Sequence, residues 1–245
     1  MNTPEPLLVL DRVVAGYGKM TILNGVTAQI RRGAITTVVG PNGAGKSTMF
    51  KAVFGLLPVR SGTISFDGRS IVNCPPRRLL DAGVVYIPQG RNIFPELSVR
   101  HNLELGGVAL SDQSRLAGRV DAMLQRFPVL GEKAGRQAST LSGGQQKLLE
   151  VARGLLLDPR LILIDEPSIG LSPLMVQEVF GILKSLRDNG VTILLIEQNA
   201  RQALHMSDYG LVLEQGQTRI EDTAANILAD PRIAQLFLGG GLAAS

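Results

Sequence analysis

Three stretches of the chain hold residues whose types and spacing suit phosphate chemistry. The first is Gly40-Pro41-Asn42-Gly43-Ala44-Gly45-Lys46-Ser47-Thr48, which fits the phosphate-binding pattern G-x-x-x-x-G-K-[ST]. Its glycines let successive backbone N–H groups curl around one anion-sized hollow. Lys46 offers a positive charge to β- and γ-phosphates, Ser47 a hydroxyl to Mg²⁺, and Thr48 a hydroxyl to a phosphate oxygen. The second stretch is Leu141-Ser142-Gly143-Gly144-Gln145, a Gly-rich turn opening a helix. Ser142 can cap that helix, and the paired glycines let a ligand reach its exposed N–H groups. The third is Asp165-Glu166, two carboxylates directly after the apolar run Leu161-Ile162-Leu163-Ile164. A buried strand ending in carboxylates places them where open α/β sheets bind ligands.

Strands and helices must hold these groups in place. Ala34 to Val39 reads as a buried strand ahead of the phosphate loop, and Met49, Phe50, Val53 and Phe54 recur at helical spacing behind it until Gly55. A strand–loop–helix unit turns a helix N-terminus, with its partial positive charge, toward the phosphates. Leu148, Leu149, Ala152, Leu155 and Leu156 give the helix after Gln145 an apolar face, and Asp158-Pro159 ends it. Val84 to Pro88 reads as a buried strand with Gln89 at its end, and Val191 to Ile196 as another, ending in Glu197-Gln198-Asn199. Leu7 to Leu10 and Thr21 to Ile30 suggest a small antiparallel region, with Gly16-Tyr17-Gly18 turning between them. Tyr17 is there either as a surface turn residue or as a ring that stacks on a base. Ser61 to Gly68 reads as a strand closing in an Asp-Gly turn. From about 90 to 140 the chain becomes a mostly helical insert, with Leu116, Val120, Met123, Leu124 and Phe127 at helical spacing. Leu211 to Ile220 forms a hairpin turning at Gly216, followed by a short helix around Ala224 to Ala229 and, from about 239, a Gly-rich tail. The expectation is one α/β P-loop domain over 1–245, with a small antiparallel β subdomain, an α-helical subdomain at about 90–140 and a C-terminal hairpin and helix at about 205–245.

Composition narrows the class. Of the 245 residues, 44% are hydrophobic and 19% charged, so a folded core is expected rather than disorder. The single cysteine, Cys74, allows no internal disulfide and suits a reducing compartment. Met1 to Leu10 lacks the basic start of a secretory signal, and the longest apolar runs fall far short of the roughly 20 residues of a membrane span. The net charge of +4 includes no dense basic run, so nucleic acid is not indicated. The two histidines, His101 and His205, read as surface or packing residues rather than metal ligands.

Taken together, these residues resemble the nucleotide-binding subunit of ATP-binding cassette (ABC) transporters over nearly the whole chain. Leu141 to Gln145 matches the family signature LSGGQ, and it lies 24 residues (165 − 141) before Asp165. The resemblance implies an ATPase using ATP and Mg²⁺. It implies that Tyr17 stacks on adenine and that residues 40–48 hold the phosphates. Ser47, Gln89 and Asp165 would serve the metal, and Glu166 would act as general base. Ser142, Gly143, Gly144 and Gln145 would bind the ATP held by a second ATPase subunit, copy or paralogue, in a head-to-tail dimer. Ser168-Ile169-Gly170-Leu171 matches the D-loop of that interface. Further partners implied are integral-membrane permeases and a solute-binding protein, with the chain peripheral on the cytoplasmic face of the inner membrane.

One position departs from the wider family. Gln198 stands where a switch histidine is usual, and its amide can donate to a γ-phosphate but carries no charge. Glu197-Gln198-Asn199 is similar to one branch, the LivF-type ATPase of branched-chain amino acid importers and related urea or amide importers. The stretches 166–173 and 90–95 are similar to that branch too, whereas His101-Asn102-Leu103 departs from its common Glu-Asn-Leu. The other classes are a soluble cassette of translation or repair, which usually has two cassettes or a coiled-coil insert, and a cassette that holds ATP without turnover. This chain has one P-loop, no internal repeat and an intact Lys46, Asp165 and Glu166. From Gln89 to Leu105 the chain runs through Arg91, Ile93, Phe94, Pro95, Leu97 and Val99, which is apolar for a solvated loop. Either Ile93 and Phe94 tuck into the helical insert, or part of the loop lines a groove for a permease helix.

Overall fold

Two sheets divide the strands of the computed structural model, which describes residues 5–90, 92–110 and 112–231. Arg91 and the Gly-rich tail lie outside that range. The smaller sheet contains β1 (Pro6–Ala15), β2 (Leu23–Arg31), β4 (Val59–Phe66) and β5 (Arg69–Ser70), antiparallel in the order β2-β1-β4-β5. β2 alternates buried and exposed residues, as a strand with one covered face must. β4 starts two residues before the Ser61 expected from the sequence, because Val59 still pairs with Ala15.

The larger sheet has the order β10-β9-β3-β8-β7-β6, built from β3 (Ile35–Val39), β6 (Val84–Ile87), β7 (Leu161–Asp165), β8 (Thr192–Ile196), β9 (Tyr209–Glu214) and β10 (Gln217–Thr223). All its pairs are parallel except the β9–β10 hairpin. β3, β7 and β8 are buried along their whole length, which is why they read as mostly apolar runs without a solvent-facing alternation. Their side chains still alternate between two cores. Leu161, Leu163, Leu194 and Ile196 face the antiparallel sheet and helix α1 (Lys46–Val53), while Ile162, Ile164, Ile193 and Leu195 face the opposite helices. Fully burying each such side chain contributes about 1.5–3 kcal/mol.

The register brings the strand ends level. Ile87 pairs with Ile164, Asp165 with Ile196, and Val38 with Ile196. The residues that follow these strands, Gly40, Gln89, Glu166 and Gln198, therefore emerge along one edge of the sheet.

Between 90 and 140 the described residues form α3 (Val99–Gly106), α4 (Leu116–Arg126) and α5 (Pro128–Gly131), with short 3-10 turns. α3 begins where the sequence reading has only an apolar loop, because Ser98 accepts a hydrogen bond from the His101 amide and caps it. Helix α6 (Gly143–Leu155) carries the second Gly-rich turn at its start. The sequence reading assigns no helix between 172 and 191, yet α7 (Pro173–Asp188) fills that span. Its buried residues, Val176, Val179, Phe180, Leu183 and Leu186, recur at helical spacing. α2 (Pro76–Asp81) and α8 (Ala200–Met206) are likewise additional, while α9 (Ala224–Ala229) lies where the sequence suggests.

Candidate active site

The phosphate loop leaves β3 through Gly40, whose φ of 152° and surroundings exclude any side chain. A Cβ there would lie 2.0 Å from the Leu213 carbonyl oxygen. Lys46 opens α1, and its Nζ donates to the Gly40 and Pro41 carbonyls at 2.8 and 3.0 Å. The ammonium thus stands across the hollow that the loop encloses. Beside it is a cavity of about 500 Å³. The loop residues Asn42, Gly43, Gly45, Lys46, Ser47 and Thr48 line one side, and Gln89, Glu166, Ile169 and Gln198 line the other.

Glu166 reaches this cavity by a backbone turn that a glutamate seldom makes, with φ at 48°. Its N–H donates to the Ile196 carbonyl at 2.8 Å, which pins the turn to the neighbouring strand. A left-handed non-glycine residue costs of order 1–3 kcal/mol and persists only where its surroundings impose it. The Gln89 side-chain amide donates to Glu166 Oε2 at 2.7 Å. Asp165, one residue earlier, is buried, and its Oδ1 has no hydrogen-bond partner. An unpartnered buried carboxylate oxygen beside the Ser47 hydroxyl suits a hard divalent cation. Among the described residues no cluster of three or more His, Cys, Asp or Glu could cage a metal. A cation here would therefore depend on phosphate oxygens as further ligands, as Mg²⁺ sites commonly do.

Burial shapes the charges. It lowers the Lys46 pKa from the ordinary lysine value, against the pull of Glu166 and Asp165. It raises the Asp165 pKa, opposed by the Ser47 hydroxyl, by Lys46 and Lys51 and by the Tyr86 hydroxyl. Glu166 is also raised, first by desolvation and then by repulsion from Asp165, while Lys46 and Gln89 act in the opposite sense. A carboxylate held above its usual range is a better proton acceptor near neutral pH. The arrangement can bind a polyphosphate at Lys46 and present a base to a water beside it.

The remaining sequence candidates lie elsewhere. Ser142 caps α6 in a reciprocal capping box, its Oγ accepting from Gln145 N at 3.4 Å while Gln145 Oε1 accepts from Ser142 N at 3.2 Å. Gly144 packs on Met175, where a Cβ would fall 2.0 Å from its terminal methyl. None of Ser142, Gly143, Gly144 or Gln145 lines the cavity. One chain thus carries two separate Gly-rich helix N-termini, at Lys46 and at Gly143. Tyr17 is exposed and also outside the cavity, its ring 5.8 Å from Lys51 Nζ. The Lys51 ammonium donates to its hydroxyl at 3.4 Å. His101 and His205 are both exposed.

Two residues near the site escape the sequence reading. Glu197 is buried, and it accepts from Ser168 N at 2.9 Å, Ser168 Oγ at 2.6 Å and Gln198 N at 3.2 Å. It fastens the turn after Glu166 to the end of β8. Tyr86 packs edge-on against Phe50 and approaches Asp165; burial, and then the Asp165 charge, drives its pKa upward. Glu197 follows the apolar run of β8 and Tyr86 lies within β6, so their strands are deducible, but their partners are not.

Comparison with known proteins gives the family. Residues 23–169 match the ABC transporter family model. The chain is 39% identical over 234 residues to the high-affinity branched-chain amino acid transport ATP-binding protein BraG of Pseudomonas aeruginosa, covering 96% of this chain and 100% of that one. It is 38% identical to the probable branched-chain amino acid transport ATP-binding protein LivF of Archaeoglobus fulgidus, covering 92% and 95%. Among solved structures it resembles the ADP conformation of MJ1267, an ATP-binding cassette of an ABC transporter, with a TM-score of 0.85, 29% identity and coverage of 94% and 98%.

Proposed function

The chain belongs to the ABC transporter family as an ATP-hydrolysing subunit, and from that premise we propose that it drives uptake of branched-chain amino acids through separate permease subunits. The observation that supports the mechanism is the convergence of Lys46, Ser47, Gln89, Glu166 and Gln198 on one cavity. The relatives BraG and LivF support the solute class.

In this reading ATP lies with its β- and γ-phosphates on the N–H groups of residues 40–48 and on Lys46. Ser47, Asp165 and Gln89 would hold Mg²⁺, which when bound would neutralise phosphate charge. Glu166 accepts a proton from the attacking water, and the Gln89 amide holds it in orientation. Gln198 donates a neutral hydrogen bond to the γ-phosphate. Tyr17 stacks on adenine, which requires its ring to leave Lys51. Ser142, Gly143, Gly144 and Gln145 bind the ATP of a second ATPase subunit, and Ile169, exposed on the turn after Glu166, lines the joint between the two. No helix among the described residues is long and apolar enough to cross a membrane. Transport then needs permeases, and a solute-binding protein delivers the amino acid.

In this reading the permeases dock on the segment after Gln89. The structure divides the two apolar residues there: Ile93 packs against the helical core, whereas Phe94 is 47% exposed. The Phe94 backbone is fixed by Asn102, which accepts from its N–H at 2.8 Å and donates to its carbonyl at 2.9 Å. Phe94→Asp should therefore fold and bind ATP yet fail to co-purify with the permeases. Normal assembly would place the docking surface elsewhere.

Gln198 gives a pH test. A neutral amide adds no titration between about pH 6 and 8, whereas Gln198→His should remain active and lose turnover as pH falls through the imidazole range. An unchanged profile would remove Gln198 from contact with the reacting phosphate. For the solute, ATP turnover of the complete transporter should rise with leucine, isoleucine or valine and not with urea or short amides. Stimulation by urea alone would overturn the solute assignment.

A further inference from the structure

Helix α6 is almost wholly buried, and two of its buried residues are charged. Lys147 and Glu150, with side chains 6% and 3% exposed, form an ion pair of 2.5 Å. Such a pair rarely adds stability, because desolvation offsets the attraction and apolar residues of equal volume serve as well. Its contacts suggest another purpose. Lys147 Nζ also donates to the Gly90 carbonyl at 3.1 Å, and Glu150 Oε1 accepts from the Asn92 amide at 2.6 Å. One turn further along the same face, Arg153 donates to the Asn92 carbonyl and lies 5.3 Å from the Phe94 ring centroid. Three side chains spaced i, i+3 and i+6 thus grip the backbone just after Gln89. Gln89 itself is exposed, and its side-chain amide reaches Glu166.

We propose that Lys147 and Glu150 are positioning residues that set Gln89, and through it Glu166, relative to helix α6. The first turn of that helix is Gly143 to Gln145, one turn before Lys147. The alignment of Gln89 is then referred to the element that meets the second subunit's ATP, not only to the strand β6 that precedes it. The inference rests on the reading of Glu166 as base and Gln89 as its orienting partner. A role confined to holding the helical insert in place would affect folding but would have no specific connection to Gln89.

Steady-state ATP hydrolysis by the complete transporter separates these roles. Lys147→Met/Glu150→Leu fills the same volume without charge and should fold. The expected result is a kcat loss of roughly tenfold with KM for ATP within about twofold. In a Gln89→Ala background the same double change should have no further effect, since residues acting through one group are not additive. Lys147→Arg, which retains the pair, should keep most of the turnover. An unchanged kcat, or losses that multiply in the Gln89→Ala background, would overturn the proposal. If that double variant does not fold, the alternative apolar packing Lys147→Leu/Glu150→Met removes the same contacts to Gly90 and Asn92 without an unpaired charge and gives the same comparison. An inactive wild type would instead defeat the reading of Glu166; an active wild type with a silent double variant defeats only this inference.

Discussion

Glu166→Gln should keep ATP and lose phosphate release. The two side chains are isosteric, and the strained turn at φ 48° is no harder for glutamine than for glutamate. In the proposed site the ground-state contacts to the phosphates come from Lys46 and the loop amides, which the change leaves intact. What disappears is the proton acceptor, and positioned acid–base catalysis is typically worth about 10²–10⁴ in rate. With hydrolysis stopped, ATP and Mg²⁺ should hold two ATPase subunits together, visible as a shift to twice the mass by size exclusion. In the wild type, turnover should decline as pH falls through the Glu166 pKa, because only the ionised carboxylate accepts a proton. Desolvation and Asp165 place that acid limb above the ordinary carboxylate range. A Glu166→Gln variant that hydrolyses at the normal rate would assign the base to another residue.

Lys46→Ala should be as damaging at an earlier step. The ammonium spans the loop between the Gly40 and Pro41 carbonyls and is partly desolvated before any ligand arrives. Charge-assisted hydrogen bonds to phosphate are about twice as strong as neutral ones, so their loss should weaken ATP binding strongly and abolish turnover. Isothermal titration measures the first and phosphate release the second. Unchanged affinity together with normal hydrolysis would show that the loop does not hold the phosphates.

The sequence foretells some of this geometry better than the rest, for physical reasons. β3, β7 and β8 are recognisable because both faces are covered and their residues are mostly apolar, with Thr36, Thr37 and Thr192 the β-branched exceptions and Asp165 closing β7. The hairpin at Gly216 is recognisable because Gln215 and Gly216 both take positive φ in the turn. α7 is missed although its buried residues recur every three to four positions and Pro173 at its start suits the first helical turn. The separation of Ser142–Gln145 from the Lys46 cavity depends on packing across some hundred residues, which spacing cannot encode. The Lys147–Glu150 pair is hidden for a related reason. Charges at i and i+3 on a helix usually face water, and only the returning segment at Gly90 and Asn92 buries these.

ATP hydrolysis at this chain is proposed to power branched-chain amino acid import. ATP-energised uptake of labelled leucine into proteoliposomes containing the complete transporter tests it most directly, with wild type and Glu166→Gln compared side by side. Leucine should accumulate with the wild-type chain and not above the ATP-free control with the variant; equal accumulation with both, or uptake of urea in place of leucine, would overturn this function.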